Sequence, residues 1–216
     1  MQAYTLSIFK QKLQEAEITL LDTRVAEIFT NGFVPGSIFI GFEGRFAEWA
    51  VSLLPFEKPL VLITDIGKEE EVNQKLKNIG FENIAGYLDG GFDTWKAAGE
   101  KVDMIINVDA DEVAMDLPFD TKLQVVDVRR EAEFLEGHIK GAINMPLSDM
   151  TDLALLASFE EDQNLYLQCG GGYRSVIAAS LMKKQGIHNL RNITGGWDAV
   201  KEQKKIPIKK DVSALN

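Results

Sequence analysis

The chain has 216 residues, and 45% of them are hydrophobic, which supplies apolar material for one large or two small packed domains. Its 33 acidic residues outnumber its 23 basic residues, giving a formal net charge of −10, and no long basic block offers a surface for nucleic acid. The single cysteine, Cys169, excludes an internal disulfide, and neither a signal-peptide pattern nor an apolar run of about 20 residues is present, so we expect a soluble, cytoplasmic protein.

In the first half of the chain, short apolar runs alternate with helical patterns. The run PLVLIT, residues 59–64, predicts a strand, and EEEVNQKLKNI, residues 69–79, predicts a helix that ends at Gly80. Such alternation is typical of a parallel sheet covered by helices.

The stretch of residues 100–122 joins the first half to the second. Its start predicts an exposed connection, while Val108 to Leu117 predict the opening helix of the second half. We therefore place one domain over residues 1–103 and another over residues 104–216.

The second half has the same alternation. Its strands are predicted at QVVDV (124–128), NLYLQ (164–168) and LRNI (190–193), and its main helix at SVIAASLMKKQ (175–185), which is closed by Gly186.

The two halves also repeat one another in sequence. Residues 20–40 align with residues 125–145 at a constant offset of 105, and LDGGFDTW (88–95) aligns with ITGGWDAV (193–200) at the same offset. The matched pairs include Asp22 with Asp127, Arg24 with Arg129, Gly36 with Gly141, Gly90 with Gly195 and Gly91 with Gly196. The repeat predicts two copies of one fold.

The segment from Cys169 to Arg174 is the candidate for chemistry. It leads from an apolar strand through three consecutive glycines into a helix, an arrangement that turns backbone N–H groups inward and adds the positive end of the helix dipole. These groups favour thiolate over thiol, so Cys169 is the candidate nucleophile. Arg174 adds a permanent charge suited to an anionic donor or to a persulfide.

Four motifs occur in order over residues 123–200: DVR, EF-x-x-GHI-x-GAIN-x-P, CGGGYRS ahead of a helix, and a GGW turn. As a set they resemble the rhodanese family of sulfurtransferases, and LDTR, VPGSIFI and LDGGF of the first repeat are consistent with the same family. The resemblance implies two domains of the α/β class, each with a central five-stranded parallel sheet and helices on both faces.

The resemblance also implies a function. The cysteine takes sulfane sulfur from a donor, holds it as a persulfide and passes it to a thiophilic acceptor. On this basis Cys169 is the catalytic residue, and the substrate- or persulfide-binding residues are Gly170, Gly171, Gly172, Tyr173, Arg174 and Ser175. Phosphatases that share this fold carry one more residue between cysteine and arginine than the four found here, which favours sulfur transfer.

Other polar residues have structural interpretations. Asp127 and Arg129 are supporting residues that we expect to form an internal ion pair, because Asp22 and Arg24 recur in the repeat that has no cysteine. His138 is expected to be a hydrogen-bonded structural residue. Two histidines and one cysteine form no spaced ligand set, so neither a metal nor another cofactor is predicted.

The first repeat lacks the chemical residues. VLIT-DIGKEE places Asp65 at the position assigned to Cys169 and Glu70 at the position assigned to Arg174. Two carboxylates would repel an anionic sulfur species, so the first domain is predicted to be inactive in transfer.

Two functional hypotheses remain open. One is a sulfurtransferase that uses thiosulfate or glutathione persulfide as donor and a thiol or cyanide as acceptor. The other is a sulfur-relay or scaffold module of a larger persulfide-metabolising protein. The tandem layout is similar to the rhodanese portion of fusion proteins that carry a metallo-β-lactamase-like domain, so such a domain or partner protein is expected under the second hypothesis.

Overall fold

A computed structural model describes residues 1–15, 17–160 and 162–211, and the chain divides between Met104 and Ile105 into two compact units. The strands of the first unit are Ala3–Tyr4 (β1), Thr19–Asp22 (β2), Ile38–Phe39 (β3), Leu60–Ile63 (β4) and Ile84–Leu88 (β5). Its helices are Leu6–Leu13 (α1), Ala26–Asn31 (α2), Phe46–Leu53 (α3), Glu69–Asn78 (α4) and Gly91–Ala97 (α5).

The second unit repeats this series with additions. Its strands are Ile106–Val108 (β6), Leu123–Asp127 (β7), His138–Ile139 (β8), Ile143–Asn144 (β9), Asn164–Gln168 (β10), Leu190–Ile193 (β11) and Ile208–Lys209 (β12). Its helices are Ala110–Asp116 (α6), Glu131–Glu136 (α7), Leu153–Leu156 (α8), Tyr173–Lys184 (α9) and Gly196–Val200 (α10), with a 3₁₀ turn at Leu147–Asp149.

Each unit is built on a five-stranded parallel sheet flanked by helices. The strand order is β1-β5-β4-β2-β3 in the first unit and β6-β11-β10-β7-β9 in the second. If β8 is set aside, these orders are the same, so the sequence repeat is also a repeat of topology. The predicted α/β class with two parallel sheets is confirmed. Strands β8 and β12 form a separate antiparallel pair in the second unit.

Strand β4 is buried because it is apolar along its whole length. All four residues of β4 are buried, as expected for a strand covered on both faces. The core of the first unit gathers Tyr4, Phe9, Leu20, Val61 and Trp95 among others. In the second unit the corresponding core contains Val108, Val113, Val125, Tyr166 and Ile193.

One predicted helix was wrong at its start. Val108 belongs to strand β6, and helix α6 begins only at Ala110. The reason is local, because the carboxylate of Asp109 accepts hydrogen bonds from the N–H groups of Asp111 and Glu112 and so caps the helix there. In the part of the chain that the structure describes, no helix is long and apolar enough to cross a membrane.

Candidate active site

The cysteine loop lies between strand β10 and helix α9. Strand β10 ends at Gln168, residues 169–172 form the loop, and α9 begins at Tyr173. Strand β10 is central, with β7 on one side and β11 on the other. The loop therefore lies at the carboxyl edge of the sheet, where parallel α/β folds place their ligands.

The thiol of Cys169 is enclosed by its own loop and the helix start. The residue is 1% exposed. Its Sγ accepts a hydrogen bond from the backbone N–H of Gly172 at 3.1 Å and lies 3.4 Å from Oγ of Ser175. Gly172 has a φ of 95°, a left-handed conformation that glycine adopts without strain. Backbone geometry thus supplies one N–H donor to the sulfur, and the helix dipole adds to it.

A chain of polar side chains continues behind the sulfur. The hydroxyl of Ser175 donates to Oδ1 of Asn192 at 2.6 Å, and Nδ2 of Asn192 donates to Oδ1 of Asn107 at 2.9 Å. Ser175 and Asn192 are both buried. Asn192 was not identified from the sequence. It is the third residue of LRNI in strand β11, and only the packing of that strand beside β10 brings it to the loop.

Arg174 does not stand free at the loop. Its Nη1 and Nη2 each donate to one carboxylate oxygen of Glu133, both at 2.8 Å, so the two side chains form a bidentate pair. Hydrogen bonding from Arg174 is the largest influence that lowers the pKa of Glu133, from 4.5 to about 2. The sequence pattern predicts that Arg174 binds an anionic substrate and indicates no role for Glu133, although Glu133 is the acid of the EF-x-x-GHI motif.

Asp127 and Arg129 form the predicted ion pair. The carboxylate of Asp127 accepts from Nε of Arg129 at 3.0 Å and from Nη2 at 2.6 Å, and Nη2 also donates to the carbonyl of Gly137 at 2.7 Å. The guanidinium lies 4.6 Å from the ring centroid of Trp197.

The first unit contains the same arrangement. Asp22 binds Arg24 at 2.6 Å, the carbonyl of Gly32 accepts from Arg24, and the ring of Phe92 lies 4.2 Å from its guanidinium. Since this unit has no cysteine, the pair is part of the fold in both units.

The GGW turn fixes the far side of the loop. The backbone N–H of Trp197 donates to the carbonyl of Cys169 at 2.6 Å, and that of Asp198 donates to the carbonyl of Gly170 at 3.1 Å. A Cβ on Gly196 would lie 2.3 Å from the carbonyl oxygen of Cys169. This close approach explains why glycine occupies the position.

The remaining predicted residues lie as follows. Gly171 is exposed, whereas Gly170 and Tyr173 are half-buried beside the loop. His138 is buried, with Nδ1 at 2.9 Å from the carbonyl of Phe134, and this fits the structural role predicted for it. Among the described residues, no group of three or more His, Cys, Asp or Glu side chains could hold a metal ion.

The position of Asp65 in the first unit requires a correction. Ile63 pairs with Asp22 as Gln168 pairs with Asp127, so Thr64, and not Asp65, occupies the place of Cys169. The carbonyl of Thr64 also faces Gly91 as that of Cys169 faces Gly196. Glu70 is the second residue of α4, as Arg174 is of α9. Thr64 and Asp65 help to line a cavity of ≈250 Å³.

The chain is similar to a family model and to several known proteins. A family model described as rhodanese-like domain matches residues 5–98 and again residues 109–203. A putative sulfur carrier protein of Bacillus subtilis is 26% identical over 139 residues, which are 62% of this chain and 74% of that protein. A putative mitochondrial thiosulfate sulfurtransferase of Schizosaccharomyces pombe is 30% identical over 90 residues, which are 36% of this chain and 63% of that protein.

Among solved structures, the rhodanese-like domain of an Anabaena protein is 25% identical, with a TM-score of 0.46, and the match covers 52% of this chain and 85% of that one. The alignment with the fission-yeast protein spans less than two thirds of that protein's length. Because the family model matches both repeats, the chain belongs to the rhodanese-like domain family and carries two such domains in tandem.

Proposed function

We propose that the second domain is a sulfurtransferase in which Cys169 carries the transferred sulfur. One observation carries the proposal. Sγ of Cys169 lies at the start of α9 and accepts a hydrogen bond from the backbone N–H of Gly172 at 3.1 Å. The donors are thiosulfate or a low-molecular-weight persulfide such as glutathione persulfide, and the acceptors are thiols or cyanide.

The reaction consists of two displacements at sulfur. The Cys169 thiolate attacks the outer sulfur of the donor, the S–S or S–SO₃ bond of the donor breaks, and its electron pair leaves with a thiolate or with sulfite. Cys169 is then a persulfide. In the second step the acceptor attacks the terminal sulfur of that persulfide, and the electron pair of the broken S–S bond returns to Sγ. One bond to sulfur replaces another in each step, so no oxidant or reductant is required.

The loop supports both chemical states of the cysteine. A thiolate and a persulfide are both anions, and both gain from the Gly172 N–H and from the helix dipole. The backbone N–H groups of Trp197 and Asp198 bind the carbonyls of Cys169 and Gly170, which fixes the first two peptide planes of the loop.

The test is the variant Cys169→Ser in the full chain. We expect it to form no thiocyanate from thiosulfate and cyanide and to gain no sulfur atom in its intact mass after incubation with glutathione persulfide. The wild-type protein should do at least one of these. Undiminished turnover of Cys169→Ser would falsify the assignment, and an unchanged circular dichroism spectrum serves as the control for folding.

A second candidate function is that of a relay module, and the similarity to a protein named as a putative sulfur carrier favours it. In that case the Cys169 persulfide would form stoichiometrically but turn over only with a partner, and we propose a metallo-β-lactamase-like domain or protein in that role. Adding excess small thiol to the isolated persulfide distinguishes the two functions, because rapid discharge supports the enzyme and slow discharge supports the relay.

The first domain is proposed to be inactive in transfer. Thr64 stands where the second domain has its cysteine, and a threonine hydroxyl at neutral pH is not a sulfur-carrying nucleophile. The proposed role of this domain is that of scaffold or partner surface.

A further inference from the structure

We infer that Glu133 selects the class of sulfur donor by cancelling the charge of Arg174. The site then favours a donor with a single negative charge at its transferable sulfur, such as a thiol persulfide, over the dianion thiosulfate. This inference rests on the proposed function of Cys169 and deepens it.

The contact that carries the inference is the bidentate pair. Both terminal nitrogens of Arg174 donate to the carboxylate of Glu133, at 2.8 Å each. The Glu133 side chain is 29% exposed and that of Arg174 is 19% exposed, so the pair lies at the edge of the domain with limited access to solvent. Oε2 of Glu133 also accepts the backbone N–H of Arg130 at 3.2 Å, which holds the carboxylate in place.

The pair lies directly beside the cysteine loop. A Cβ added to Gly170 would lie 3.0 Å from Nη2 of Arg174, so the guanidinium rests against the loop backbone. A donor that reaches Cys169 therefore meets Arg174 and Glu133 together.

The charge of the pair is close to zero under physiological conditions. The pKa of Glu133 is lowered to about 2, mainly by its hydrogen bonds from Arg174, so the carboxylate stays ionised. The neighbouring cation Arg130 contributes little to the charge of the site, because its side chain is 77% exposed and solvent screens its contact with Glu133, which is 3.3 Å long.

Because the pair has almost no net charge, the attack on a more negatively charged donor is disfavoured more strongly. Attack of a thiolate on thiosulfate brings three negative charges together, whereas attack on a persulfide anion brings two. A free guanidinium would offset the larger charge, but one already neutralised by a carboxylate gives a dianion little attraction. The geometry therefore penalises thiosulfate more than it penalises a persulfide.

The first experiment measures how the charge of Glu133 affects the reactivity of Cys169, and it does not require sulfur transfer. Full-length wild type, Glu133→Gln and Glu131→Gln are alkylated at Cys169 with neutral iodoacetamide and with anionic iodoacetate. Glutamine keeps an oxygen to hold Arg174 but removes the charge. We expect Glu133→Gln to raise the iodoacetate-to-iodoacetamide rate ratio by about tenfold.

The control Glu131→Gln removes the same charge from an exposed position on the same helix, and its ratio should stay within about twofold of wild type because exposed charges are screened. If Glu133→Gln accelerates alkylation by both reagents equally, Glu133 controls only access to Cys169. If the iodoacetate-to-iodoacetamide rate ratio is unchanged, the charge of Glu133 does not affect the reaction. Either result overturns the inference.

The second experiment compares donors. Glu133→Gln should raise the kcat/KM for thiosulfate relative to that for glutathione persulfide by about tenfold. A relative change of less than twofold contradicts the inference while leaving the proposed function intact. If neither donor loads wild-type Cys169, the proposed function fails, and the alkylation ratio still reports on the charge of the site.

A third measurement uses the unmodified protein and covers the case in which Glu133→Gln does not fold. A neutral Arg174–Glu133 pair predicts that the iodoacetate-to-iodoacetamide ratio of wild type stays constant or rises with salt, because the thiolate and iodoacetate are both anions and salt screens their repulsion. A steep fall of that ratio with salt would reveal an uncompensated positive charge and would overturn the inference.

Discussion

Oγ of Ser175 lies 3.4 Å from Sγ of Cys169, and its hydroxyl donates to Oδ1 of Asn192 over 2.6 Å. A hydroxyl has one proton, so it cannot serve the amide and the sulfur at once. Asn192 is itself oriented by its bond to Asn107, which leaves its amide oxygen facing Ser175. Ser175 is therefore placed to turn its proton toward Cys169 when the sulfur carries negative charge.

This relationship predicts the behaviour of Ser175→Ala. Loss of a hydrogen bond to a charged group costs about 1.5–3 kcal/mol, so alkylation of Cys169 by iodoacetamide at neutral pH should slow by about tenfold or more. Ser180→Ala is the matched control, because Ser180 is a buried serine of the same helix whose hydroxyl donates to the carbonyl of Ile177. If Ser175→Ala reacts at the wild-type rate, the proton stays with Asn192, or with the carbonyl of Gly172 at 3.1 Å, in both charge states.

The pair of Asp127 and Arg129 predicts a large effect on stability. Asp127→Ala leaves a guanidinium that is only 3% exposed without its carboxylate, and removal of one partner of a buried pair costs about 3–5 kcal/mol. The free energy of unfolding in urea is the measurement.

The control for this prediction is Lys122→Ala, which breaks a 2.7 Å ion pair with Asp162 on the surface, where both side chains are more than half exposed. Its cost should be below about 1 kcal/mol. A similar small loss for Asp127→Ala would show that Arg129 finds another partner or water.

The pKa of Glu133 predicts a pH dependence of stability. Its folded value of about 2 lies below its ordinary value of 4.5, so its contribution is complete above 4.5 and is lost as the pH falls toward 2. The difference in free energy of unfolding between wild type and Glu133→Gln should therefore be constant above pH 4.5 and shrink below it. A difference that does not vary across this range would show that the carboxylate titrates alike in folded and unfolded chains.

Most of the fold was predictable because its signals are local. Strands β4, β7, β10 and β11 were predicted from the short runs PLVLIT, QVVDV, NLYLQ and LRNI, and the two main helices were bounded by Gly80 and Gly186, which have φ values of 99° and 88°. The duplication was visible in the matched glycines and charges. The cysteine loop was visible because three glycines follow a buried strand.

The contacts that tune the loop were not predictable. Glu133 lies 41 residues before Arg174, and nothing in the sequence shows that α7 presents this acid to the start of α9. The alignment of Asp65 with Cys169 was wrong because the first loop has five residues, 64–68, and the second has four, 169–172. Counting back four residues from the start of each helix therefore pairs Cys169 with Asp65, which is one residue past its structural equivalent, Thr64.

The last prediction concerns the approach of the GGW turn to the cysteine loop. Gly196→Ala would place a Cβ 2.3 Å from the carbonyl oxygen of Cys169 and 2.8 Å from that of Gly170, and Gly196 has a φ of 52°. Backbone carbonyls cannot move aside as a flexible side chain can, so the loop must shift. We expect a loss of at least about 2 kcal/mol in the free energy of unfolding and a fall in the rate of Cys169 alkylation, because the N–H of Gly172 no longer faces the sulfur.

Gly141→Ala separates this effect from simple backbone strain. Gly141 has a φ of 88°, yet a Cβ there meets nothing within 4 Å. It should therefore cost only about 1 kcal/mol, the price of a left-handed conformation for alanine, and it should leave alkylation unchanged. If both variants lose the same stability and both keep the wild-type alkylation rate, the close packing of Gly196 against Cys169 has no role in shaping the site, and the loop is held by its own glycines alone.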